Sequence, residues 1–305
     1  MPSIYEICGD EAWTHTNGAL NRYLCFFGGL LCLENEADRL ETDLRRVLGR
    51  RGHRQEIKWS NLSPIHLSIY KELVDLLFDH LLSRQVRFRQ IFLDRQFVYI
   101  PPVGEPAVSD LDLQFKICYQ FLKHSFGLKY LPAAASGPDK VLIRLDTHSS
   151  QKHKSALRGF VELQLPKALG RSDLVIELAH VASHHLHRIG VCDVLMGAAG
   201  SYGNRQQLRR KPGARGMNDR QIARLDLSKY IFGKLRNLNE KDRGGHAFNW
   251  FESTGTDGDP ANTYRHKLRI WKFRPKDYAI DKGWQNDHLD AQGRYQGPEI
   301  VPVDP

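Results

Sequence analysis

Cysteine and methionine are scarce in this chain, five and three among 305 residues. Cys8, Cys25, Cys32, Cys118 and Cys192 are odd in number, and none belongs to a Cys-x-x-Cys pair. That spacing argues against a disulfide framework and for a reduced, cytoplasmic protein. Four of the five lie in apolar stretches, where a free thiol behaves as a small hydrophobe. No apolar run is long enough to cross a bilayer, so no membrane partner is expected. The N-terminus has no basic segment followed by an apolar core, so no signal peptide is expected. A nucleophile elbow, a Walker-type loop and a dinucleotide fingerprint are all missing. No internal repeat is visible.

Positive charge is plentiful. The net charge is +9, within an ordinary globular composition of 41% hydrophobic and 26% charged residues. The length allows one large domain or two smaller ones. The charge favours acidic partners, above all nucleic acid, against the plain alternative of a soluble basic protein.

The apolar runs at 3–7 and 23–31 predict a β-hairpin joined from Asp10 to about Leu20. Residues 34–48 carry helical charge spacing and stop at Gly49 and Gly52. A basic loop follows at 50–59, and Ser63-Pro64 then opens a helix, with the serine as N-cap. Strands are predicted at 86–94, 141–146 and 173–178, and helices at 110–126, 152–165 and 189–199. Strands alternating with helices after an opening hairpin argue for an α/β fold with a mixed sheet flanked by helices. After Gly200 the character changes. Arg205, Arg209, Arg210, Lys211, Arg215, Arg220 and Arg224 form a basic arm, followed by a helix at 226–238, a Gly/Asp/Asn-rich stretch, and a strand at 266–273. The polar tail from Asp281 is expected to be poorly ordered. The division is a core over 1–200 and a basic, partly irregular extension over 201–305.

Four carboxylates stand apart from the solvated helix charges. Asp10 and Asp146 end strands, Glu56 follows the basic loop, and Asp193 interrupts an apolar helix. A carboxylate at a strand end points into the space beyond the sheet, where α/β folds place ligands. Asp193 lies among Ile189, Val191, Cys192, Val194, Leu195 and Met196, and a charge in such company needs a partner or a metal. Gly190 and Gly197 beside it suit a close approach of that helix to the sheet. Hard carboxylate oxygens suit Mg²⁺ or Mn²⁺, and two such ions can carry phosphodiester hydrolysis. The bland alternatives are a Gly-Asp turn at Asp10 and a solvent-facing aspartate at 193. His180, His184, His185 and His187 offer a zinc reading, but no cysteine pair or His-Glu-x-x-His glutamate completes it. Arginine forks of the arm, with Arg269 and Lys272 on the late strand, are the expected phosphate contacts. Trp271, Phe273 and Tyr264 are candidates for stacking on unpaired bases or, equally, for the core.

The order of motifs resembles the bacterial domain-of-unknown-function family numbered 3800. The elements that carry the resemblance are a first strand ending in Asp10-Glu11, the Gly28-Gly29 strand, Glu56-Ile57-Lys58-Trp59-Ser60, strand ends at Asp94 and Asp146, and Cys192-Asp193-Val194-Leu195-Met196-Gly197-Ala198. Ala12-Trp13 departs from the family's Ser-Gly, and Gly190-Val191-Cys192 from its Gln-x-Ala. The resemblance covers roughly 3–200 and implies a ribonuclease H-like core. It matches Asp10, Glu56 and Asp193 to the family's acids, with Glu11 as a supporting residue. Asp146 and Asp94 compete for the central strand acid. The function it implies is a Mg²⁺- or Mn²⁺-dependent nuclease acting on RNA or DNA, in bacterial defence or mobile-element biology, with a possible partner protein in a multi-component system. Asp10, Glu56, Asp146 and Asp193 would hold the metals, and Lys58 would offset developing charge. The alternative is a non-catalytic nucleic-acid-binding or assembly subunit on the same fold.

Overall fold

The computed structural model describes residues 3–12, 21–83, 85–100, 109–132, 139–146, 151–204, 216–244, 248 and 252–281. The two opening apolar runs form β1 (Ile4–Ala12) and β2 (Tyr23–Leu33), paired antiparallel from Tyr5–Leu33 to Ala12–Phe26. All of β2 but its last residue is buried, and a strand covered on both faces needs such a continuous apolar run. β3 (Arg87–Asp94) pairs antiparallel with the far side of β2. β5 (Lys140–Asp146) joins β1 in parallel, and β6 (Val175–Val181) joins β5 in parallel. β7 (Leu268–Phe273) closes the other edge, parallel to β3. The sheet order is β6-β5-β1-β2-β3-β7. The short strands β4 (Phe97–Tyr99) and β8 (Tyr278–Ile280) pair separately, and sequence patterning had marked neither.

Helices cover both faces of this mixed, mostly parallel sheet, in line with the α/β class. On one side lie α1 (Glu34–Arg50), α2 (Leu67–Ser83), α6 (His187–Gly203) and α7 (Asp219–Arg243). On the other lie α3 (Asp110–Gln120), a π-helical turn at Phe121–Ser125, α4 (Gln151–Gly159), a second π-helical turn at Phe160–Gln164, and α5 (Leu165–Leu169). A single turn, α8 (Asn262–Arg265), precedes β7. Alternation along β1 assigns the faces: Tyr5 and Ile7 enter the core under α3, and Cys8 enters the core under α6. Glu6 and Asp10 therefore share the α6 face.

Two expectations need correction. Ser63 does not cap α2 with its side chain. Residues 64–66 form a 3₁₀ turn instead, and the Ser63 hydroxyl lies 3.1 Å from His66 Nδ1. The described residues beyond 200 are also not a separate unit. Leu227, Ile231, Phe232, Leu235 and Leu238 of α7 belong to the core around α6, and β7 is a strand of the main sheet. The basic arm residues Arg205, Arg209, Arg210, Lys211 and Arg215 lie outside the described residues, as does the tail from residue 282.

Candidate functional site

β1 and β5 run in parallel with Gly9 opposite Leu145, so one further step along each brings Asp10 and Asp146 to adjoining strand ends. Both side chains face α6 by alternation. Every residue of α6 except His187 and Asp193 is buried. This helix lies on β1, and its register carries Cys192 to Cys8 and Asp193 toward Asp10. Residues 56–59 pack across the outer side of the same helix. A Cβ at Gly190 would come 2.4 Å from the Ile57 carbonyl oxygen, and one at Gly197 would come 2.2 Å from Trp59 Cγ. The two glycines thus admit this loop, not the sheet as the sequence had suggested.

The loop delivers Glu56 and Lys58. The main-chain N–H of Trp59 donates to Asp193 Oδ2 at 2.6 Å. The Lys58 ammonium lies 3.2 Å from Glu56 Oε1 and 3.9 Å from Asp146 Oδ2. Tyr70 of α2 holds the Lys58 backbone, its hydroxyl donating to the carbonyl at 2.9 Å. Ser183, just past β6, ties two of the acids together. Its N–H donates to Asp146 Oδ1 at 2.9 Å and its hydroxyl to Glu56 Oε1. Asp10, Glu56, Asp146 and Asp193 therefore lie in one region with Lys58 among them.

The electrostatics follow from this crowding. Burial, then the charges of Asp193, Glu11 and Asp146, push the Asp10 carboxyl well above its usual range. Burial raises Asp193 to about 6, with Asp146 and Glu56 adding to the shift and the Trp59 N–H and Lys58 opposing it. Burial raises Glu11 to about 7, with a further push from Asp146. Burial also pushes Glu56 upward, but the Ser183 hydroxyl, Lys58 and His184 outweigh it and hold that carboxyl below its ordinary value. For Lys58, burial acts downward, and Glu56, Asp146 and Asp10 overcome it, so the ammonium is held more firmly. Within the cluster, Asp10 and Asp193 resist ionising while Glu56 stays charged.

Below the cluster, on the same face of β1, lies a buried ion network. Arg188 lies 2.6 Å from Glu6 and 3.4 Å from Glu41, and Arg144 reaches Glu6 at 2.9 Å. Asp94, the competitor of Asp146, is held elsewhere by Arg22 at 2.9 Å.

Other expected residues are placed differently. Glu11 points to the opposite face of β1 from Asp10 by alternation. His187 bonds Glu41, and His180 Nδ1 lies 3.2 Å from the Asp146 carbonyl, so the histidines do not gather at one point. Arg269 donates to the carbonyls of Gly255 and Thr254, Lys272 pairs with Glu252 at 3.5 Å, and Tyr264 is buried. Ser183, Tyr70 and the Trp59 N–H escaped sequence reasoning, because nothing local distinguishes them from any serine, tyrosine or amide.

Among the described residues, no three His, Cys, Asp or Glu side chains are placed to hold one metal ion as they stand. The donor chemistry nonetheless fits a hard divalent cation, since every candidate ligand is a carboxylate and two of them resist ionising beside one another. Among the described residues, no helix is long and apolar enough to cross a membrane. No protein-family model matches the chain, and no curated protein does.

Proposed function

We propose that this chain is a divalent-metal-dependent nuclease on a ribonuclease H-like core. The observation that carries the reading is the meeting of Asp10, Asp146 and Asp193 with Glu56 and Lys58 at the carboxyl ends of two adjacent parallel strands. The strand order supports it as well: three adjacent antiparallel strands, β1 to β3, with β5 and β6 added in parallel on the free side of β1. The net charge of +9 supports an acidic polymer as substrate.

Asp10, Glu56, Asp146 and Asp193 would hold Mg²⁺ or Mn²⁺, which when bound supplies Lewis acidity toward water and phosphate. The chain's own residues then have separable tasks. The Trp59 N–H orients Asp193, and Ser183 fixes Glu56 against Asp146. Lys58, kept charged by Glu56, offsets negative charge that builds on the phosphate oxygens.

The test is a cleavage screen over single- and double-stranded RNA and DNA with Mg²⁺ and Mn²⁺. Asp10→Asn and Asp193→Asn should fold and lose all metal-dependent cleavage. Full activity in both variants removes the proposal.

One observation favours a second reading. Lys58 already lies between Glu56 and Asp146 and partly neutralises them. A non-catalytic nucleic-acid-binding subunit would keep that arrangement, bind with steep salt dependence and cleave nothing in the same screen.

A further inference from the structure

The face of the sheet opposite the acidic cluster carries a second polar site. A depression of about 450 Å³ opens there, lined by Gln90, His124, Ser125, Thr254, Arg269 and Trp271. That volume falls in the range of small-molecule sites.

Four features set it apart from an ordinary surface dent. Arg269 is half-buried and has no ion-pair partner among the described residues. Its contacts are the Gly255 and Thr254 carbonyls, at 3.2 and 3.0 Å, which fix the guanidinium without neutralising it. Asp257, whose charge acts on Arg269, already pairs with Arg243 at 2.8 Å and His266 at 3.1 Å, and the Arg243 charge opposes it, so the guanidinium is left under-neutralised and open to an anion. His124 and Ser125 reach the depression from the π-helical turn Phe121–Ser125, an irregularity frequent at functional sites. The Ser125 hydroxyl is buried and lacks a hydrogen-bond partner among the described residues. Finally, the Trp271 indole forms an aromatic wall with His124, the rings edge to face with centroids 6.0 Å apart.

We infer that this depression binds a small organic anion with a flat ring, of the nucleoside monophosphate class. Arg269 takes the charged group, Ser125 and His124 supply hydrogen bonds, and the ring lies against Trp271. Arginine and an indole together serve phosphate and base at once. The site is separate from the acidic cluster and does not rest on the nuclease reading.

The test is calorimetric titration of the full chain with AMP and UMP in EDTA, with adenosine and inorganic phosphate as partial probes. Chelation removes metal-mediated binding at the acidic cluster. Saturable binding of a nucleotide is expected, at least tenfold weaker in Arg269→Gln, with each partial probe weaker than the whole. His124→Ala, which leaves the Thr254 and Gly255 carbonyl contacts in place, should also weaken binding, and it decides the matter should Arg269→Gln fail to fold. Absence of saturable binding, wild-type affinity in a folded Arg269→Gln or in His124→Ala, or phosphate binding as tightly as AMP would each overturn the inference.

Discussion

The Trp59 main-chain N–H donates to Asp193 Oδ2 at 2.6 Å, joining the Glu56–Lys58 loop to the middle of α6. The contact exists because Gly197 leaves room for the indole one turn further along the helix. A methyl there would lie 2.2 Å from Trp59 Cγ. Gly197→Ala should therefore displace Trp59 and cost about 1–3 kcal/mol by overpacking, despite the better helix propensity of alanine. Chemical denaturation checks the stability. Any metal-dependent activity should fall by more than the folded fraction does.

Ser183→Ala removes the hydroxyl bond to Glu56 and keeps the N–H bond to Asp146. Mn²⁺ affinity, read by calorimetry, should drop roughly 10-fold or more, the usual effect of losing a residue that orients a ligand. Ser183→Thr keeps a hydroxyl and should recover part of the loss. Equal affinity in wild type and Ser183→Ala would show that Glu56 needs no such support.

Metal-free protein should lose stability as pH rises through the neutral range. Burial and like charges lift Asp193 from 3.8 to about 6. Burial, with Asp146, lifts Glu11 from 4.5 to about 7. Asp10 shifts in the same direction. The folded state then binds protons more tightly than the unfolded state. The stabilisation is complete below the ordinary carboxyl values and is lost as pH climbs through the folded ones. Glu41 acts oppositely: burial raises it, but His187 and Arg188 outweigh that and bring it to about 2, so its contribution changes only under acid conditions. Melting temperature in EDTA should fall between about pH 5 and 7.5, and Mg²⁺ should restore it at the upper end. Asp193→Asn should flatten the slope; an unchanged slope in that variant would rule out Asp193 as its source.

Arg188→Met tests the ion network under the cluster. Arg188 and Glu6 are both almost fully buried, and Glu41 accepts from the same guanidinium. Removing the arginine leaves Glu41 with His187 and Arg45, and Glu6 with Arg144 alone. A loss of about 3–5 kcal/mol is expected, as when one partner of a buried pair is deleted. Glu6→Gln with Arg188→Met together should recover part of it in a double-mutant cycle.

Much of the sheet was legible. The continuous apolar run of β2 and the strand ending at Asp146 are local patterns that survive folding, whereas β1 runs on to Ala12, past its expected end at Asp10, which pairs with Gly28. The glycines of α6 were legible as a close approach but not as an approach to Trp59, because helix periodicity carries no information on which neighbour arrives. Arg269 was legible as a residue of a late strand. Its turn toward the Thr254 and Gly255 carbonyls was not, since that depends on a loop which sequence patterning leaves undefined.

The amino-acid sequence by itself determined the element types, the α/β class and the placing of acids at strand ends. Periodicity and burial act over a few residues, and one chain contains all the information they need. The tertiary structure decided which acids meet. It set Asp146 beside Asp10 through the parallel pairing of β5 with β1, and it gave Asp94 to Arg22. It also brought Ser183 to Glu56 across 127 residues of chain. Those choices depend on strand order and helix packing, which no local pattern encodes. The opening Asp10-Glu11 pair shows the division: the sequence placed both at a strand end, and the pleat of β1 sent only Asp10 toward α6.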